Sequence, residues 1–125
     1  MGTVSALHTS LAWAVIIVGG VAGALTTAAH WVEALRVRPL WWLHHLFHGL
    51  IVVQVTLGAV IIGFSDVEAN GEHVFYGFLT FTGVGLILGY RHLAQYKYLL
   101  YGLGGLFVMG LAIRAFTLPA LAIGG

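Results

Sequence analysis

Three histidines, His44, His45 and His48, stand together at the head of an uncharged run from Leu40 to Phe64, and four more, His8, His30, His73 and His92, are spread along the chain. A run of about 25 apolar residues reads as a membrane-spanning helix. A histidine inside such a span costs free energy unless it meets a partner or a ligand, so each one is a candidate functional group. Cysteine is absent, which removes disulfides, thiolate metal ligands and cysteine nucleophiles. Imidazole is what remains. It ligates metals when neutral, and two imidazoles from opposite helices are what the iron of a b-type haem takes as axial ligands, with the flat apolar ring lying between the helices.

Depth along the spans decides which histidines could share an iron. Helix direction alternates, so His8, opening the first span, and His73, opening the third, fall at similar levels on helices that run parallel and can face each other across a bundle. With a rise of about 1.5 Å per residue their levels differ by only several ångströms. They are the first choice as axial ligands of a haem b. His48 is the deepest of the remaining five, and pairing it with His30 or His92 gives a possible second site near the opposite end. Small residues leave room for a ring: Gly77 lies one turn after His73, Ala12 one turn after His8, and Gly49 follows His48 directly. Glu72, Thr9, Ser10 and Thr80 are candidates to accept the second N–H of a ligand imidazole.

Other uses of the same residues stay open. His44 and His48 are four apart, share a helix face and could both reach one non-haem metal ion, with His45 beside them. No Asp or Glu lies inside any span, which leaves a hydrolytic or oxygen-activating metal centre without an obvious base. A chlorophyll-type pigment on a single histidine is a further possibility, since residue types do not separate one macrocycle from another. The plain alternative is interfacial histidine satisfied by headgroups, water or backbone carbonyls.

The elements that must position these groups are four helices. Of the 125 residues 60% are hydrophobic and 7% charged, with mean hydropathy +0.99. A soluble domain is about a quarter charged, so this chain cannot cover a water-facing surface and is expected to be integral to a membrane. The net charge of +1 excludes the basic patch of a nucleic-acid binder. The N-terminus lacks a basic n-region, and its apolar run is long enough to span, so it reads as a span and not as a signal peptide. The spans are expected at about residues 4–29, 40–64, 73–90 and 98–118, in one domain. Pro39 suits the first turn of the second. Ser65 to Glu72 has the composition of a turn and N-cap, and Pro119 with Gly124 and Gly125 ends the fourth. Short connections make neighbours antiparallel, so the fold class is all-α, an up-down four-helix bundle.

Arg36, Arg38, Arg91 and Lys97 lie in the first and third connections, and Asp66, Glu68 and Glu72 in the second. The positive-inside rule then places both termini outside, most naturally across a cell membrane. Trp31, Trp41, Trp42, Tyr96, Tyr98 and Tyr101 gather at the inner level, as interfacial aromatics do. The Gly19–Gly23 and Gly85–Gly89 pairs have the small-xxx-small spacing that lets helices approach closely.

Two stretches, Leu7-His8-Thr9-Ser10-Leu11-Ala12 opening a span and Gln54-Val55-Thr56-Leu57-Gly58 followed by Glu72-His73, resemble one four-helix half of the haem A synthase family. The likeness covers about two-thirds of the chain, from Ala6 to Leu88. It implies a haem held between histidines at positions matching His8 and His73. Thr9 stands where that family commonly carries an arginine, and its glutamate shortly before the first histidine is missing from Thr3 to Ala6. The architecture also resembles di-haem membrane cytochromes b. The expected function is therefore a haem b-binding membrane protein that moves electrons, with a quinone as a possible reactant. It is read as a carrier or subunit before a stand-alone enzyme. The alternatives are a haem-modifying enzyme like a half-length haem A synthase, and a cofactor-free accessory subunit. Besides lipids, the expected partner is a second copy or a larger membrane redox complex.

Overall fold

Four long helices and two short 3-10 turns make up the computed structural model, which describes residues 2–121, the side chain of Ala94 excepted. The helices are α1 (Gly2–Ala29), α2 (Arg38–Phe64), α3 (Gly71–Gly89) and α4 (Lys97–Thr117). Each boundary has a local cause. Arg36 folds back to donate to the carbonyls of Ala29 and His30, both at 2.8 Å, satisfying two of the acceptors that the end of α1 leaves open. Pro39 sits in the first turn of α2, where its missing N–H costs nothing. Asn70 caps α3 by accepting from the Glu72 N–H at 3.2 Å. That cap starts α3 at Gly71, two residues before the start expected from hydropathy, and puts Glu72 in the first turn, where the helix dipole favours a carboxylate. The chain leaves α4 at Leu118, just before Pro119. Gly124 and Gly125, read as part of that ending, lie outside the described residues.

The helices form a ring. α1 packs on α2 and α4, α3 packs on α4, and α2 and α3 touch least of the neighbouring pairs. α1 and α3 therefore stand on one diagonal, α2 and α4 on the other. The core is central: Val15, Phe47, Ile51, Val84, Ile87 and Val108 bury together. Phe47 is fully buried against Gly19, where any Cβ would collide with its ring. A Cβ on Gly23 would come within 3.1 Å of the Gly102 carbonyl oxygen, so α1 and α4 meet almost backbone to backbone. Gly85 and Gly89 differ: a Cβ at either would meet nothing within 4 Å, so that pair lies on an open face.

Each helix is long and apolar enough to cross a membrane, and large apolar side chains such as Trp13, Phe78 and Phe107 point outward. The chain is an integral membrane four-helix protein whose outer faces meet lipid. Its two ends are chemically distinct. Arg36, Arg38, Arg91 and Lys97 mark a basic end, and Asp66, Glu68 and Glu72 an acidic end, where α1 also begins.

Candidate functional site

Toward the acidic end the ring of helices opens around a cavity of about 560 Å³, inside the range of about 300–1,000 Å³ usual for small-molecule and cofactor sites. All four helices line it. Its walls are apolar apart from His8, Thr9, Gln54, His73 and Thr80, and no lining residue is acidic. The sparse contact between α2 and α3 leaves it flanked by a loose seam. At its end the chain after α4 crosses the α2–α3 connection: Asn70 donates from its backbone N–H to the Ala120 carbonyl and from its side chain to that of Pro119, both at 2.8 Å, and Ala69 bridges to Leu121. Val67, Ala69, Ala120 and Leu121 from this crossing close the end of the cavity.

His8 and His73 reach into this cavity from the two diagonal helices. Their ring centroids lie 6.2 Å apart, at an interplanar angle of 75°. Each ring is held by its Nδ1. The Nδ1 of His8 lies 3.2 Å from the Gln54 carbonyl oxygen, and that of His73 lies 2.8 Å from the Ala115 carbonyl oxygen. A carbonyl only accepts, so in both rings Nδ1 carries the hydrogen and Nε2 keeps its lone pair. The two histidines thus share a tautomer, and each keeps an Nε2 lone pair without a hydrogen-bond partner among the described residues.

The sequence explains why the Ala115 carbonyl is available. The Ala115 oxygen would ordinarily accept from the N–H four residues on, but that residue is Pro119, which has none. His73 fills the gap. On the other side His8 and Gln54 clasp each other, because the Gln54 side chain donates back to the His8 carbonyl at 2.6 Å. Gly58, one turn after Gln54, makes the clasp possible: a Cβ there would stand 3.2 Å from Cε1 of His8. Glu72, Thr9, Ser10 and Thr80, expected to accept from the imidazoles, do not. The acceptors are backbone oxygens, and the Thr80 hydroxyl is spent on the Tyr76 carbonyl at 2.7 Å. Gly77 borders the cavity and a Cβ there would meet nothing within 4 Å, so it does leave room beside His73.

The basic-end histidines are arranged otherwise. His44 and His48 are buried, 1% and 7% exposed, with rings 6.1 Å apart on one face of α2. Tyr101 packs against both, at 5.2 Å and 6.0 Å. The Nε2 of His44 lies 2.6 Å from the Thr26 hydroxyl, while its Nδ1 and the Nε2 of His48 are buried without a partner. His45 is exposed beside Trp42. His30 and His92 pack on their sequence neighbours Trp31 and Tyr90, and among the described residues neither ring contacts His48. Gly49, expected to make room beside His48, is exposed with open space around it. Among the described residues no group of three or more His, Cys, Asp or Glu side chains could hold a metal ion.

No protein-family model, curated protein or solved structure matches the chain. The resemblance to haem A synthase has no family match behind it and rests on the short motifs alone. Within those motifs the structure gives work to Gln54 and Gly58, which had no role in the sequence reading. Gln54 carried the signal that could have found it, an amide in the middle of an apolar span, which needs partners inside the bundle.

Proposed function

We propose that this membrane protein binds one haem b between His8 and His73 and serves as a one-electron carrier. The observation that carries the reading is how the pair is prepared: two imidazoles from diagonal helices, each with its Nδ1 on a backbone carbonyl, border one apolar cavity. Two imidazoles bound through nitrogen on opposite sides of one ion, each at about 2 Å, have ring centroids about 6 Å apart, and these stand at 6.2 Å with both Nε2 atoms free. The apolar cavity, with Gly58 and Gly77 along its walls, suits a flat apolar macrocycle. When bound, the haem would supply a single-electron couple. The chain's own part is to hold both imidazoles by their Nδ1–H groups, which fixes ring orientation and raises ligand basicity, and to keep water from the site with apolar walls.

A haem-modifying enzyme fits less well, because the cavity offers no carboxylate for proton transfer and each of its two histidines spends its Nδ1–H on a backbone carbonyl. The loose α2–α3 seam gives a lipid-soluble quinone a route from the bilayer. The same reading places the protein in a homo-oligomer or a larger membrane redox complex that passes electrons on. From the charge pattern, with Arg36, Arg38, Arg91 and Lys97 at one end, we infer that the basic end lies inside the cell and both termini outside a cell membrane.

The deciding measurement is the absorption spectrum of the purified protein loaded with haem. One low-spin bis-imidazole haem per chain is expected. A protein that takes up no haem, or binds it only in high-spin form, ends the proposal. For orientation, cysteines introduced by Glu68→Cys and Arg38→Cys should be labelled from outside intact cells only at position 68. Labelling at position 38 alone reverses the assignment.

A further inference from the structure

We infer that the basic end carries a second, separate site, which takes the phosphate headgroup of an anionic phospholipid. A concave pocket of about 550 Å³ opens there between α2, the start of α4 and the connection that precedes it. Lys97 and Arg91 supply two cations, Trp41 and Tyr101 supply aromatic walls, and His44 forms part of the lining; no lining residue is acidic. The end as a whole holds four Lys and Arg side chains against one carboxylate, Glu33.

Both cations at the pocket keep donor capacity to spare. Arg91 uses NH1 on the Leu88 carbonyl at 3.1 Å, which leaves the rest of its guanidinium fork free. The Lys97 ammonium lies 5.4 Å over the Trp41 ring and 5.3 Å over that of Tyr98, which holds the charge at the pocket without neutralising it. Lys97 also opens α4, and the N-cap Tyr96 makes no side-chain capping bond, so the positive end of the helix dipole adds to the same field. Independently of these charges, His44 is 1% exposed and its Nδ1 has no hydrogen-bond partner. Its ring therefore adds an unsatisfied polar atom to the wall of the cationic pocket.

The depth of the pocket favours a lipid over a soluble anion. It lies at the ends of spanning helices beside Trp41, Trp42 and Tyr98, the level at which phosphate headgroups sit. Acyl chains of a bound lipid would run down the apolar exterior of the same helices while the phosphate meets Arg91 and Lys97.

Native mass spectrometry of the purified protein with dioleoylphosphatidylglycerol or dioleoylphosphatidylcholine tests this. Removing a basic residue from an anionic lipid contact costs about fivefold in affinity. The wild type should therefore prefer the anionic lipid by about 25-fold. Lys97→Gln should cut the preference about fivefold, Arg91→Gln with Lys97→Gln should abolish it, and Lys97→Arg should keep it. Arg114→Gln, which removes a charge at the acidic end, should change nothing. An unchanged preference in the double variant, or an equal loss in Arg114→Gln, overturns the site. If the double variant does not fold by circular dichroism, the single Lys97→Gln result decides. Displacement by glycerol 3-phosphate at the same concentration as the lipid overturns the lipid assignment in favour of a soluble phosphate ester. The haem spectrum should be identical in all these variants, so the outcome is independent of the proposal for His8 and His73.

Discussion

The bundle carries two pairs of histidines, and nearly every physical property divides them. His8 and His73 come from diagonal helices, border a cavity and have one nitrogen satisfied by a backbone carbonyl. His44 and His48 come from one helix, lie among aromatic rings and leave two buried nitrogens unpaired. Ring separations are almost the same, 6.2 Å and 6.1 Å, so distance does not distinguish a ligand pair. The second separation is simply what an i, i+4 spacing produces on a helix. Preparation of the rings is what differs: opposed origins, a shared tautomer and space between.

The largest expected effect tests that division directly. His8→Ala or His73→Ala should abolish the bis-imidazole spectrum of the haem-loaded protein, and His48→Ala should keep it. Loss in His48→Ala with retention in the other two would move the site to the basic end. Next comes the carbonyl that holds His73. Pro119→Ala gives residue 119 an N–H able to compete for the Ala115 oxygen, and loosening an imidazole's second bond costs about tenfold in metal affinity. Haem transfer to apomyoglobin measures this, and an unchanged transfer rate would show that the His73 contact does not matter.

At the other end the sign should reverse. His48→Leu replaces a ring that has a buried, unpaired nitrogen with an apolar side chain, and should stabilise the protein by about 1 kcal/mol, read as a shift in denaturation midpoint in mild detergent. Destabilisation by a similar amount would mean that His48 has a partner in the membrane. The smallest effects concern glycines. Gly58→Ala presses on the His8 ring and should weaken haem binding by about 1 kcal/mol. Gly49→Ala, in open space on α2, should stabilise the helix by about 0.5–1 kcal/mol and leave haem binding alone. Titration with haemin compares them, and equal effects at the two positions would erase the contrast.

Much of this was legible in the sequence. The apolar runs, Pro39 and the charge pattern gave four helices, and alternation of direction put His8 and His73 at one level. The 3-10 turns at Glu33–Leu35 and Ala94–Tyr96 were not foreseen, because short turns leave little compositional trace. Residue types point to Glu72, Thr9, Ser10 and Thr80 as the rings' acceptors, whereas the acceptors are backbone oxygens of residues 46 and 42 positions away. A carbonyl is present at every residue, so only tertiary packing reveals which one is used. Gly49 and Gly77 looked equivalent beside their histidines, and the structure separates them: which side of a helix a residue presents cannot be read from a helix that is apolar all round.

The Pro119 contact bears on how the site comes into being. A nascent chain three helices long already holds His8, Gln54 and His73, and the first two can clasp. His73 has no acceptor until α4 is threaded and its final turn lies alongside α3. Translation order thus makes the held His8 and His73 pair a product of the finished α4: a shortened protein lacking that last turn keeps both imidazoles but has one of them swinging freely.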